Sequence, residues 1–153
     1  AATLTKLPAV LPLQLLGEFD GPGEPLGEGS YAVVRRLRRR GTGESVALKV
    51  VEKRPLEIRG MLPQLRREAR LQGALSHRHL LRLLASFEDD AHAYLLLEFC
   101  PGGSLEDRCE ASPQNRLPEA PSARFLAQVT QGLAFMHSRR VVHRDLKAQN
   151  VLL

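Results

Sequence analysis

The chain has 153 residues, of which 43% are hydrophobic and 25% charged, and its formal net charge at pH 7 is +5. This composition is ordinary for a folded globular protein, and no apolar run reaches the length of about 18 residues that a transmembrane helix needs. Two cysteines argue against a disulfide framework and for a reducing compartment, and the five histidines lack zinc-ligand spacing. We therefore expect a cytoplasmic protein without a membrane span.

The positive charge is concentrated in residues 35–40 (RRLRRR) and at Arg66, Arg67 and Arg70. A basic patch is compatible with nucleic-acid binding, but aromatic residues make up only 5% of the chain and do not alternate with these arginines. We interpret the arginines as solvated strand ends and an exposed helix face. We expect no nucleic-acid partner, whereas acidic or phosphorylated partners stay open.

The N-terminal half has the pattern of a small antiparallel sheet. Residues 1–18 are expected to form an extension, and Pro22 and Pro25 predict an irregular or edge strand after it. Two apolar, β-branched runs follow, at 32–37 and 45–51, and the short glycine-rich turn between them predicts an antiparallel hairpin.

A helix and two more strands are predicted next. Pro63 suits the first turn of a helix that runs to about Leu75, and the strands are expected at 81–88 and 93–99, with a turn at Asp89-Asp90. The apolar stripe of the helix consists of Leu62, Leu65, Ala69, Gln72 and Leu75.

A second helical region follows the break at Pro101-Gly102-Gly103, which we interpret as a boundary between two lobes. Phe125, Val129, Leu133 and Met136 form its stripe, and the cations at 138–140 suit its C-terminal end. The predicted fold class is therefore α+β, with an antiparallel β lobe that carries one inserted helix and the beginning of a helical lobe.

The segment Leu26–Val34 (LGEGSYAVV) places two glycines where a strand turns. Such glycines let backbone amides approach phosphate oxygens closely, although the same spacing also occurs in ordinary hairpin turns. A dinucleotide-binding fold would need a helix directly afterwards. A β-branched strand follows instead, so we reject that alternative.

Lys49 and Glu68 are two further candidates that depend on their surroundings. A lone lysine within Ala47–Val50 is costly to bury unless it meets an anion, or else it lies at an edge with its ammonium in water. Glu68, flanked by arginines, would be a surface charge on most helices. It gains a role only if its helix packs beside the strand of Lys49.

The most specific signal is Val142–Leu153 (VHRDLKAQNVLL), which matches H-R-D-L-x-x-x-N. Its chemistry suits phosphoryl transfer: Asp145 can accept or orient the proton of a hydroxyl, Lys147 can neutralise the phosphoryl group, and Asn150 can reach Mg²⁺. A chance match of this length is negligible.

From about Phe19 to Leu153 the chain resembles the eukaryotic protein kinases of the Ser/Thr type, with the elements in the family's order. The resemblance implies ATP and Mg²⁺ as cofactors and protein Ser/Thr hydroxyls as substrates. It implies that Asp145, Lys147, Lys49 and Glu68 are catalytic, with Lys49 and Glu68 paired, and that Asn150 is a Mg²⁺ ligand. The nucleotide-binding residues that it implies are Leu26, Gly27, Glu28, Gly29, Ser30, Val34, Ala47, Lys49, Leu97, Glu98 and Cys100.

Three segments, 59–61, 75–77 and 85–89, are similar to polo-like kinases of the centriole-duplication type, with the Aurora kinases a near second. This similarity adds the centrosome or the nucleus to the expected locations. Ala32 replaces the family's third loop glycine, and Arg144 resembles the arginine that grips a phosphorylated activation loop in many relatives.

We expect residues 19–153 to be a partial kinase domain, with the first lobe and hinge at 19–100 and the start of the second lobe at 101–153. A complete kinase domain has about 250 residues, and the family's DFG, activation and APE segments would lie beyond Leu153. The function expected of the full protein is transfer of the γ-phosphate of ATP to Ser or Thr. The alternative is a truncated, catalytically inactive module that binds ATP or other proteins.

Overall fold

The computed structural model of the chain describes Leu15 and residues 17–153, so most of the extension expected at 1–18 lies outside the described residues. The chain folds as two compact units. The first contains the described residues up to Ala74 together with Arg82–Phe99, and the second contains Leu75–Leu81 together with Cys100–Leu153.

The first unit is built on a five-stranded antiparallel sheet with the strand order β1-β2-β3-β5-β4. The strands are β1 (Phe19–Glu28), β2 (Ala32–Arg39), β3 (Ser45–Glu52), β4 (Leu83–Glu88) and β5 (His92–Glu98). The predicted hairpin and the two later strands are confirmed, with ends that differ by one or two residues. The central strands β3 and β5 are nearly continuous apolar runs.

The two faces of β3 have different surroundings, because successive side chains of a strand alternate between faces. Val46, Leu48 and Val50 belong to the main core, where they join Phe19 and Leu37. The other members of this core are Leu15, Tyr94 and Leu96, and Phe87 packs against it. The alternate residues of β3 face the side on which the helices of this unit pack.

The edge strand β1 is irregular, as Pro22 and Pro25 predicted, with register shifts between Asp20 and Glu24 and again after Pro25. Arginines of β2 and of the turn after it bind this strand. The contacts are Arg35 to the Pro22 carbonyl (3.2 Å), Arg36 to Glu24 (3.6 Å), Arg39 to Glu18 and Arg40 to Asp20 (3.3 Å). Much of the basic run is therefore occupied with neighbouring acidic and carbonyl groups, although exposed pairs of this kind contribute little stability individually.

Two helices connect β3 to β4 in the first unit: α1 (Lys53–Ile58) and α2 (Leu62–Ala74). The predicted helix corresponds to α2 within one residue at each end, whereas α1 is additional to the one inserted helix that was expected. Leu62 of α2 packs with Val51 and Leu56 in a second, smaller core. The rest of the α2 stripe is only partly buried or exposed, so this helix is lightly packed.

The second unit contains α3 (Leu105–Glu110), α4 (Glu119–Ser138) and two short 3-10 turns, Pro113–Asn115 and Ala148–Asn150. The prediction of α4 is confirmed, with Met136 of its stripe buried. The segment 75–81 packs on this helix: the ring of His77 stacks on Phe135 at 4.8 Å. No helix in the described part of the chain is both long and apolar enough to cross a bilayer.

Candidate active site

Strand register brings four of the predicted nucleotide-binding residues onto one face of the sheet. Val34 and Lys49 are directly paired across β2 and β3, and Ala47 is paired with Leu97 across β3 and β5. Directly paired residues point to the same face of a sheet. This face is opposite the main core, so the packing of that core sets the position of the Lys49 backbone.

The two glycines at the end of β1 are not required by the protein's own packing. A Cβ atom added to Gly27 would meet nothing within 4 Å, and one added to Gly29 would meet only the Ala32 carbonyl, at 3.7 Å. Neither glycine has a positive φ. The Gly29 amide donates to the Ala32 carbonyl (2.7 Å) and closes the turn around Ser30. Open space above glycines fits a segment that a ligand approaches closely.

Two exposed residues of the same strand flank this turn. Leu26 is an apolar side chain that is about half exposed (47%), and Glu28 is the exposed last residue of β1. A single exposed leucine is ordinary at a protein surface, so the place of Leu26 in the nucleotide site stays a prediction.

The predicted pair of Lys49 and Glu68 is not formed. Within the described residues no ion pair joins them, and the Glu68 carboxylate accepts a hydrogen bond from Gln64 Nε2 at 2.9 Å, one turn earlier in α2. The local contact needs no approach of the helix to the sheet, whereas the predicted pair does. Leu62 is the buried residue of α2 and Leu65 packs against the same small core, and these contacts leave Glu68 apart from Lys49.

A cluster that sequence reasoning missed joins α1, α2 and the β4–β5 turn. Arg66 donates two hydrogen bonds to Glu88, from Nε at 2.9 Å and from a terminal nitrogen at 2.7 Å. Lys53 Nζ lies 3.5 Å from the same carboxylate and donates to the Asp89 carbonyl at 2.9 Å. The hydrogen bonds from Arg66 hold the pKa of Glu88 below its usual range.

The signal for this cluster was weak in the sequence. Lys53 is only 9% exposed, yet its bonding partner Asp89 is 36 residues away, and Arg66 and Glu88 are separated by 22. Periodicity reports which face of an element a residue occupies, but it does not report which distant residue meets it.

The hinge candidates lie at the end of β5. The Glu98 amide donates to the Arg82 carbonyl (3.1 Å), and the Glu98 carboxylate accepts from the Arg82 amide (2.8 Å). The backbone amide and the side-chain carboxylate of Glu98 therefore both hold the residue just before β4. Leu97 is buried, and Cys100 is half-buried at the start of the second unit.

Three predicted site residues, Asp145, Lys147 and Asn150, lie close together in one loop of the second unit. Lys147 Nζ lies 3.3 Å from Asp145 Oδ2, and Asn150 Nδ2 donates to the same oxygen (2.9 Å) and to the Asp145 carbonyl (2.7 Å). These hydrogen bonds, first that of Asn150 and then that of Lys147, lower the pKa of Asp145. The result is an ionised carboxylate beside a cation in an exposed loop.

A protein-family model described as the protein kinase domain matches residues 22–153. The chain belongs to the protein kinase family. It is 41% identical over 140 residues to CBL-interacting protein kinase 4 of Oryza sativa subsp. japonica, a match that covers 91% of this chain and 31% of the relative. Aurora kinase C of Mus musculus is 39% identical over 131 residues, covering 86% of this chain and 47% of the relative.

Aurora kinase A-A of Xenopus laevis is also similar, at 40% identity over 131 residues, with coverage of 86% of this chain and 32% of the relative. This kinase chain therefore spans about a third to a half of the length of these curated relatives. The resemblance to Ser/Thr kinases is confirmed, and the polo-like assignment stays a prediction.

The backbone of this kinase is strained immediately before Asp145. Arg144 has φ of 67°, in the left-handed region that non-glycine residues rarely adopt. The amide of Asp145 donates to His143 Nδ1 at 3.3 Å, which supports the turn from the other side. Gln114, Asn115 and Arg140 also have a positive φ, so the strain at Arg144 describes the shape of this turn and does not by itself mark a catalytic residue.

Proposed function

We propose that this kinase chain supplies the nucleotide-binding face and the catalytic loop of a Ser/Thr protein kinase, which transfers the γ-phosphate of ATP to a Ser or Thr hydroxyl of another protein. The observation that carries the proposal is the cluster of Asp145, Lys147 and Asn150 within hydrogen-bonding or ion-pairing distance of one another. The similarity of the chain to the named kinases supports the same reaction class.

Asp145 is the residue that would orient the acceptor hydroxyl. Its described side-chain contacts, to Asn150 and Lys147, both use Oδ2. Oδ1 is not used by these two contacts, so its lone pairs can accept a hydrogen bond from an incoming hydroxyl. An aspartate carboxyl is ionised at neutral pH, and the hydrogen bonds that lower the pKa of Asp145 keep it in the form that accepts this contact.

Lys147 brings a positive charge to the place where negative charge develops. Its ammonium is 3.3 Å from Asp145, so it adjoins the hydroxyl that this carboxylate would hold. A fixed cation stabilises a transferring phosphoryl group more than it stabilises the starting state. Lys147 also offsets the charge of Asp145 before any substrate binds.

The residues fit ATP and Mg²⁺ in their chemistry. Asn150 donates through Nδ2, which leaves Oδ1 as an oxygen ligand of the kind that Mg²⁺ prefers. Gly27, Gly29 and the ammonium of Lys49 would bind the phosphates. Bound Mg²⁺·ATP supplies the phosphoryl group and neutralises charge on its oxygens.

The test is Asp145→Asn in the protein that carries this chain, with phosphate transfer from radiolabelled ATP to a Ser/Thr substrate as the measurement. We expect a loss of transfer by about two to four orders of magnitude with unchanged ATP affinity. Asp90→Asn is the matched control, because Asp90 is an exposed carboxylate outside the cluster. Full turnover by Asp145→Asn would contradict the assignment.

The same experiment separates the alternative of a binding-only module. That alternative is supported if the unsubstituted protein binds ATP with the affinity of its Asp145→Asn variant and neither transfers phosphate. Residence in the cytoplasm, at the centrosome or in the nucleus is part of the proposal, and imaging of a tagged protein tests it.

A further inference from the structure

The loop that carries Asp145 and Asn150 is held by hydrogen bonds more than by packing. Its residues 144–147 and 149–150 are exposed, and the 3-10 turn Ala148–Asn150 contains no buried residue. The contacts of Asn150 with Asp145, of Lys147 with Asp145 and of the Asn150 amide with the Lys147 carbonyl are all internal to the loop. Internal contacts fix the shape of a loop but not its placement on the rest of the protein.

One side-chain contact links the 3-10 turn to a distant helix. Gln149 Nε2 donates to Glu106 Oε1 at 2.7 Å, across 43 residues of sequence. Glu106 is half-buried in the first turn of α3. A hydrogen bond to a charged carboxylate is stronger than one between neutral groups, and this one lies at the exposed surface.

The start of α3 is itself well anchored. Ser104 and Asp107 form a reciprocal capping box at its N-terminus. The Leu105 amide donates to the Val151 carbonyl (2.8 Å), and Leu153 exchanges hydrogen bonds with Gly102 (2.8 Å) and Gly103 (2.9 Å). Glu106 therefore projects from a segment that is held both by its cap and by the strand-like residues after Asn150.

Gly102 lies unusually close to Leu153. A Cβ atom added to Gly102 would lie 2.7 Å from Leu153 Cβ and 2.8 Å from its carbonyl oxygen. Main-chain contacts thus fix the chain on the C-terminal side of Asn150. The Glu106–Gln149 bond holds the turn itself, one residue from the side chain that would bind Mg²⁺.

We propose that Glu106 and Gln149 are positioning residues of this kinase, and that their hydrogen bond sets the orientation of the 3-10 turn and hence of the Asn150 side chain against Asp145. The inference rests on the proposed function for its catalytic consequence. Gln149 and Asn150 are successive residues of one three-residue 3-10 turn, so a change in the backbone orientation of that turn moves both side chains. Loss of the hydrogen bond between Glu106 and Gln149 allows the Asn150 side chain to move away from Asp145 Oδ2. The Asn150 side chain is then less often in the orientation that binds Mg²⁺.

The test compares Glu106→Ala and Gln149→Ala with the reciprocal exchange of Glu106→Gln and Gln149→Glu, which restores one amide donor and one carboxylate acceptor. We expect each alanine variant to raise the Mg²⁺ concentration for half-maximal transfer by about threefold to tenfold. The exchange should recover the original value within about twofold. Glu110→Ala is the matched control, because Glu110 is an exposed carboxylate in the last turn of the same helix.

A purely structural role predicts a different result: lower thermal stability with an unchanged Mg²⁺ dependence, and this result overturns the proposal. A Mg²⁺ dependence that shifts equally in Glu110→Ala overturns it as well. Thermal unfolding of every variant identifies a misfolded protein, and the exposed Gln149 side chain makes Gln149→Ala the variant that should fold normally.

A second measurement does not depend on activity. In the ¹⁵N spectrum of the free protein, the side-chain amide signals of Asn150, assigned by their loss in Asn150→Ala, should shift in Glu106→Ala and not in Glu110→Ala. If the unsubstituted protein transfers no phosphate, the proposed function fails, and the positioning role is judged on these signals alone. An unchanged Asn150 amide then overturns it.

Discussion

The central sheet and the catalytic loop position their functional residues by different means. Lys49 lies on β3 between two paired strands, and its neighbour Leu48 is only 1% exposed in the core on the opposite face. Asp145 has a side chain that is 67% exposed and is placed by Lys147 and Asn150. The comparison teaches that packing on the far face locates a site residue in the sheet, whereas a few polar contacts locate one in the loop.

The largest effect should come from the core under the sheet. We expect Leu48→Ala to lower the free energy of unfolding by about 2–5 kcal/mol, since it leaves a cavity among side chains that cannot fully collapse. Urea denaturation measures the change. ATP binding should weaken with it, because Lys49 and Ala47 flank the substituted residue on the same strand.

The control for this substitution is Ile58→Ala, which removes an aliphatic side chain that is 79% exposed. We expect it to change stability by less than about 0.5 kcal/mol. Equal losses in the two variants would mean that the face opposite Lys49 does not determine the stability of this unit.

The strands and long helices of both units could be predicted because their signals are local. The apolar, β-branched run of Ser45–Val51 and the three- and four-residue spacing from Phe125 to Met136 each follow from the geometry of one element. The short helix α1 was not separated, since six residues with a proline inside give no clear period. The catalytic loop was identified because its motif is contiguous.

Contacts between distant elements were harder to foresee. The pair of Lys49 and Glu68 was expected and is not formed, and the pair of Arg66 and Glu88 was not expected and is bidentate. Both outcomes depend on how α2 lies against the sheet. The stripe predicted for α2 indicates which face of the helix turns inward, but only Leu62 of that stripe is buried. The stripe does not indicate which distant residues Glu68 and Arg66 meet.

A second prediction contrasts two glycines, one near each site. Gly102→Ala should destabilise the protein by about 1–3 kcal/mol, because its Cβ would overlap the Leu153 backbone. Gly27→Ala should leave stability unchanged within about 0.5 kcal/mol, because its Cβ meets open space, and should weaken ATP affinity instead. Thermal unfolding and nucleotide titration of both variants measure these effects.

The contrast fails if Gly27→Ala unfolds as readily as Gly102→Ala. It also fails if Gly27→Ala binds ATP as tightly as the unsubstituted protein. The first outcome would show that the β1 turn depends on glycine for folding, and the second that ligands do not approach it.

The smallest expected effect concerns the polar cluster that fastens α2 in the first unit. The hydrogen bonds from Arg66 depress the pKa of Glu88 in the folded state. A depressed carboxyl pKa stabilises the fold at pH values above the ordinary carboxyl range, and this contribution is lost as the pH falls through the lowered pKa. Glu88→Gln should therefore cost about 0.2–1 kcal/mol at neutral pH, since the pair is partly exposed, and nothing in strong acid.

The measurement is the difference in unfolding free energy between the unsubstituted protein and Glu88→Gln, followed from neutral pH into acid. Taking the difference cancels the other carboxylates with lowered pKa values, including Asp89 and Asp145. Asp90→Asn, at an exposed carboxylate outside the cluster, is the matched control. If the Glu88→Gln difference does not change with pH, neither Arg66 nor Lys53 acts as a charge partner of Glu88 in solution. The lightly packed α2 would then be held by Leu62 and Leu65 in the small core. Packing, and not polar contacts, would position the helix, as it positions the strands of the sheet.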